Sequence, residues 1–121
     1  MIMEKQNNPT ISIDGNALYI ELACDLNAHE MERVYGAGVK ALEASIVSVV
    51  AINLSGKNIF SSHTRKKLAR FLENPNIMRA AVIVDGVVMK TTASFVIAQS
   101  CADNIKYFES NNEALLWLKE G

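Results

Sequence analysis

The chain has 121 residues, 50% of them hydrophobic and 21% charged, with a formal net charge of −1 at pH 7. Those figures fit one globular domain and exclude a disordered chain. With no excess of Lys and Arg to neutralise phosphates, they also argue against nucleic acid as a partner.

Residues 1–9 read as a flexible polar tail, too short and too polar for a signal peptide, and 10–121 as a single domain. Thr10-Ile11-Ser12-Ile13-Asp14 alternates with period two, Gly15-Asn16 marks a turn, and Ala17 to Leu22 resumes the alternation, which predicts a hairpin. Asn27 with Glu30 three residues on is a capping box, and Met31, Val34, Tyr35, Gly38, Ala41 and Leu42 recur at helical spacing behind it. Ile46 to Leu54 is short, β-branched and almost wholly apolar, the pattern of an interior strand; Ser55-Gly56 ends it.

A second helix is expected to start at Ser61 or Ser62, to bury Leu68, Phe71 and Leu72, and to stop at Asn74-Pro75. Ala80 to Val84 is another buried strand, closed by Asp85-Gly86 as a turn. Val88 to Ala98 spaces Met89, Ala93, Val96 and Ile97 like a helix, although its β-branched residues lower helix propensity. Ile105 to Phe108 is a short last strand, and Ser110 with Glu113 opens a helix through Leu115, Leu116 and Leu118. The order is hairpin, then helix and strand in alternation: an α/β fold with a mixed sheet and about four flanking helices.

No apolar run approaches the roughly 20 residues that cross a bilayer. Cys24 and Cys101 form no CxxC pair and read as reduced core thiols, so the expected location is cytoplasmic. His29 and His63 have no HxxxH or HExxH spacing, no glycine loop binds phosphate, and no catalytic constellation stands out. No metal, no cofactor and no enzymatic activity are therefore expected.

Several stretches together resemble the STAS and SpoIIAA-like group of domains. They are Asn53-Leu54 leading through Ile59-Phe60 into Ser61-Ser62, the strand Arg79 to Val84, and the ending Phe108-Glu109 … Glu113-Ala114-Leu115-Leu116-Trp117-Leu118. The resemblance covers the chain from Ile11 onward, and the Glu-Ala-x-x-Trp-Leu ending is its sharpest motif. It implies an SpoIIAA-like fold, similar to that of CRAL-TRIO lipid carriers. In anti-sigma-factor antagonists of this group a serine after the central strand is phosphorylated to control binding to a partner kinase. A gapless count from Asn53-Leu54 brings Ser62 to that position, with Ser61 where the group has Asp and Thr64 where it has Gly.

Each candidate site has a plain alternative. Ser61 and Ser62 cap a helix, or form with Arg65 a phosphoacceptor or anion site at its start. Lys57, Lys66, Lys67 and Arg70 are a solvated helix face, or a basic docking patch. Arg65 lies in the first helical turn, where the dipole disfavours a cation. Met89, Phe95, Val96, Tyr107 and Trp117 are core residues, or the lining of an apolar cavity. Two functions from different classes follow. One is a non-enzymatic regulatory or protein-interaction module of STAS type; the alternative is a carrier or sensor of a small apolar or lipid-like ligand. A homodimer is compatible with so small a domain, and nothing in the sequence fixes it.

Overall fold

The structure is a computed structural model and describes residues 9–44, 47–56, 58–100 and 102–120. The expectations for residues 1–8, Ile46, Lys57 and Cys101 lie outside the described residues. Strands β1 (Thr10–Asp14) and β2 (Ala17–Leu22) form the expected hairpin. It turns at Gly15, whose φ of +62° suits a residue without Cβ. Helix α1 (Ala28–Glu43) opens on the expected capping box. Asn27 Oδ1 accepts from the Glu30 amide at 2.8 Å, and Glu30 Oε1 accepts from the Asn27 amide at 3.4 Å.

Strand β3 (Val49–Leu54) is shorter than the apolar run that predicts it. Before it, the Ser48 amide donates to the Asn16 carbonyl at the hairpin turn, and the Ser48 carbonyl accepts from Met78. Helix α2 (Ser62–Leu72), strand β4 (Arg79–Val84), helix α3 (Gly86–Gln99), strand β5 (Ile105–Phe108) and helix α4 (Asn111–Glu120) complete the chain. Asp85-Gly86 does not close β4 with a turn, as its composition predicts. Asp85 is the N-cap residue of α3, and Gly86, at φ +89°, lets the chain pass from strand to helix with Asp85 alone between them. The β-branched residues of α3 are tolerated because Met89, Thr92, Ala93 and Val96 are buried along one side.

The five strands stand in the sheet in chain order, with β1 antiparallel to β2 and β2 through β5 all parallel. Every crossover moves the chain the same way, and crossovers between parallel strands are right-handed. The crossover helices α1, α2 and α3 must therefore lie on one face. α4 follows the last strand, is no crossover, and covers the other. The cores reflect this. Leu18, Ile20, Val50, Ile52, Ala80 and Val82 point into a large core with α1, α2 and α3. Ala17, Val49, Ala51, Ala81 and Ile83 meet Ala114 and Leu118 of α4 in a small one, with Leu115 and Trp117 of the same helix partly buried against it.

Two glycines of α1 have opposite surroundings. A Cβ at Gly36 would meet nothing within 4 Å, whereas one at Gly38 would lie 2.7 Å from Phe71 Cε1. That ring is buried, with its edge against Tyr35 at a centroid distance of 6.2 Å. Gly36→Ala is expected to stabilise the fold by about 0.5–1 kcal/mol through helix propensity. Gly38→Ala is expected to destabilise it, because overpacking of about 1–3 kcal/mol exceeds the same gain. Urea denaturation of both variants checks the pair.

Candidate functional site

Because β2 and β3 are parallel, the loops that leave them meet at one edge of the sheet. The first loop carries Asp25 and the second carries Ser61, the N-cap residue of α2. Asp25 Oδ2 accepts from the Ser61 amide at 3.0 Å, and its Oδ1 accepts from the Thr64 hydroxyl at 2.5 Å and the Leu26 amide at 3.0 Å. Ser61 Oγ lies 3.3 Å from the same carboxylate and accepts from the Thr64 amide at 3.3 Å, the expected cap. Burial raises the Asp25 pKa, but the bonds from Thr64, Ser61 and Leu26 outweigh it and hold the carboxyl below its ordinary value. The start of α2 is thus an anion site that the chain fills with its own carboxylate. Ser61 is bound up in that clasp. Ser62, the first helical residue, is exposed.

Arg65 stands against the dipole for a reason the sequence does not show. Its guanidinium lies 4.5 Å from the centre of the Phe95 ring on α3, a cation–π contact between the two helices. Its Nε is enclosed and has no acceptor among the described residues. Phe95 is nevertheless 44% exposed, and Ile59, Val87 and Val88 are exposed as well. α2 and α3 both start at the C-terminal edge of adjacent parallel strands and pack against each other. These apolar side chains therefore flank the α2 start.

The basic residues diverge. Lys67 Nζ turns to α1, 2.6 Å from Glu32 Oε2 and 4.5 Å over the Tyr35 ring. That ammonium, through its hydrogen bond and its charge, draws the Glu32 carboxyl below its ordinary pKa. Lys66 and Arg70 face outward and line shallow grooves, one toward Gln99 of α3 and one toward Glu32 of α1. The four described cations of α2 share one helix, yet only Lys66 and Arg70 are open at the surface.

The residues expected to line an apolar cavity do not come together. Met89 and Val96 are buried in the large core, whereas Trp117 lies across the sheet against Phe108, Arg79 and Lys106. Phe95 and Tyr107 are at the surface. Residues at helical spacing share a helix face, but the side of the sheet is set by the chain's path, which places α4 opposite α3. Among the described residues no group of three or more His, Cys, Asp and Glu could hold a metal ion.

Asp25 and Thr64 were not legible as site residues. The available signal was topological: in a parallel sheet, a carboxylate a few residues past one strand stands beside the helix start that follows the next.

The fold is the SpoIIAA-like fold. The chain is similar to an uncharacterised DUF3478-family protein of SpoIIAA-like fold from Shewanella loihica PV-4, at 20% identity over 98% of this chain and 99% of that one, with a TM-score of 0.66. It is also similar to the anti-sigma factor antagonist SpoIIAA in its unphosphorylated form (16% identity, 93% and 98% covered, TM-score 0.64). A third likeness is to an anti-sigma factor antagonist from Mycobacterium paratuberculosis (11% identity, 92% of each chain, TM-score 0.69). No family model and no curated protein matches the sequence. None of the described helices is long and apolar enough to cross a membrane.

A carboxyl more acidic folded than unfolded stabilises the fold at pH above its unfolded value, and that contribution fades as pH falls through the folded one. Asp25→Asn keeps one acceptor and loses the second, and is expected to cost about 0.5–1.5 kcal/mol near neutral pH. The difference from wild type should shrink as pH falls below the ordinary aspartate value and through the still lower folded one, where the wild-type carboxyl takes up its own proton. Urea melts across that range check it; a pH-independent difference would refute the assignment.

Proposed function

We propose that the chain is a non-enzymatic regulatory module of STAS type that binds a protein partner through the face formed by the α2 start and the outer side of α3. The observation that carries this reading is the exposure of Val87 (79%), Phe95 and Ile59 around the exposed Ser62. Contiguous exposed apolar side chains beside a polar rim are characteristic of association surfaces. α3 carries the exposed apolar residues Val87, Val88 and Phe95 beside the polar Thr91 and Ser94 of its outer side, which packing within this domain does not require. Lys66 and Arg70 give the rim a positive sign, so the partner it suits has an apolar centre and an acidic border.

Ser62 is the residue through which such a face would be regulated. Its hydroxyl is open to solvent, and a phosphate on the first helical residue gains from the dipole. The added charge would repel an acidic border, so modification would release the partner. Ser61 is unsuited to the same role, because its oxygen faces the Asp25 carboxylate at 3.3 Å. The antagonists of the same fold, one of them described in a phosphorylated form, support this reading by analogy only.

The test is capture of tagged protein from its own host cells, with identification of any stoichiometric partner and measurement of its affinity. Phe95→Asp is expected to weaken binding at least about tenfold, whereas Leu116→Asp, on the exposed side of α4, leaves it unchanged. A partner indifferent to Phe95→Asp, or no stoichiometric partner, would overturn the reading.

Intact-mass analysis of the same material gives a second check. A phosphate gain of one unit that Ser62→Ala removes is the expected result, together with partner loss on Ser62→Glu. Unmodified protein in every growth state would refute the role given to Ser62.

A further inference from the structure

The sheet face that carries α4 is only part covered. α4 packs mainly over β3, β4 and β5, reaches β2 only at its Ala17 end, and leaves β1 and the Glu21 end of β2 open, and a trough of about 360 Å3 runs between the helix and those strands. Beyond Tyr19 and Leu115, which line both, it continues into a second hollow of about 520 Å3 near the hairpin turn. The first volume lies within the roughly 300–1,000 Å3 of small-molecule sites.

Its floor has two chemically distinct rows, which the strand register sets side by side. One runs Ser12, Tyr19 and Ala51, an aromatic ring next to a small residue that keeps the floor low. The other runs Thr10, Glu21, Asn53 and Ile83. Asn53 is the one polar residue of β3, on an interior strand where asparagine is disfavoured. Its half-buried carboxamide makes no hydrogen bond among the described residues. Asn111, the first residue of α4, lines the same end of the trough and likewise makes none. Among the described residues that line the first volume the one charged residue is Glu21, which accepts a hydrogen bond from the Thr10 hydroxyl at 3.0 Å. With a carboxylate and no described cation lining the first volume, and Lys119 only at the far hollow beside Asp14, that end of the trough disfavours phosphates, carboxylates and anionic lipids.

We propose that this trough is a binding site for a small, neutral, planar molecule that bears a carboxamide or an equivalent donor–acceptor edge. The ring of the ligand lies on Tyr19 and Ala51, and its polar edge pairs with the carboxamides of Asn53 and Asn111, each of which offers a donor and an acceptor. The site is on the opposite side of the sheet from the α2–α3 surface and does not depend on it.

The experiment is an NMR titration of isotope-labelled protein with benzamide, and in parallel with benzoate, which has the same ring and a carboxylate. Benzamide should shift the side-chain amides of Asn53 and Asn111 and the backbone of Ala51, saturating in the millimolar range expected of a fragment. Benzoate should bind at least about tenfold more weakly, a difference of 1.4 kcal/mol or more. Asn53→Leu should abolish the shifts. Asn111→Ala, at an exposed helix start that does not endanger the sheet, should weaken them severalfold. No saturable shift at these residues, equal response to benzoate, or indifference to both variants would overturn the proposal. Concentration-dependent broadening of Tyr19 and Leu115 without added ligand would overturn it too, in favour of a second copy of the chain as the occupant.

Discussion

A five-stranded sheet whose strands are added in one direction has to place its crossover helices on one face, and almost everything else about this domain follows from that constraint. Three helices crowd one side and one helix attends the other. Alternate residues of β2, β3 and β4 feed the two sides, so their apolar character is nearly continuous, although one core is large and the other small. On the crowded side the interior beneath α3 is occupied by Met89, Ala93 and Val96. The sparse side has room to spare.

Parallel strands impose a second consequence at their C-terminal edge. The loops after β2, β3 and β4 emerge together, so Asp25, the α2 start and the α3 start become neighbours although they are far apart in sequence. The Asp25 carboxylate fixes the position of α2 by taking the Ser61 amide and the Thr64 hydroxyl, groups that would otherwise attract an external anion. The hydroxyl of Thr64 is fully buried, and its bond to Asp25 is what makes that burial tolerable. Ser62 is left as the solvent-exposed hydroxyl of the pair, with no hydrogen-bond partner among the described residues.

The two surfaces with functional character therefore have different origins. The α2–α3 face arises from a helix whose apolar residues extend past its buried side, with Val87, Val88 and Phe95 exposed and Arg65 laid over Phe95 at the seam. The trough beside α4 arises from incomplete cover, the small Ala51 on β3, and one asparagine in an otherwise apolar strand. A rigid sheet stands between them. A macromolecule on one side and a small molecule on the other would not compete for the same residues.

The order and type of every element were legible in the sequence, because each rests on local chemistry. Examples are the Asn27–Glu30 box, the Gly15-Asn16 turn, the helical spacing of Leu68, Phe71 and Leu72, and the period-two runs of the hairpin. The capping role of Ser61 was legible for the same reason, since an N-cap bond spans three residues. What the tertiary structure alone decided is which side of the sheet each helix takes and which loops converge. Those depend on strand order and crossover hand, to which no short window of sequence is sensitive. For that reason Trp117 and Met89, both apolar and both helical, were expected to line one space and lie on opposite faces. For that reason too Asp25, Asn53 and Asn111, unremarkable as isolated polar residues, acquire their neighbours only when the strands are laid side by side.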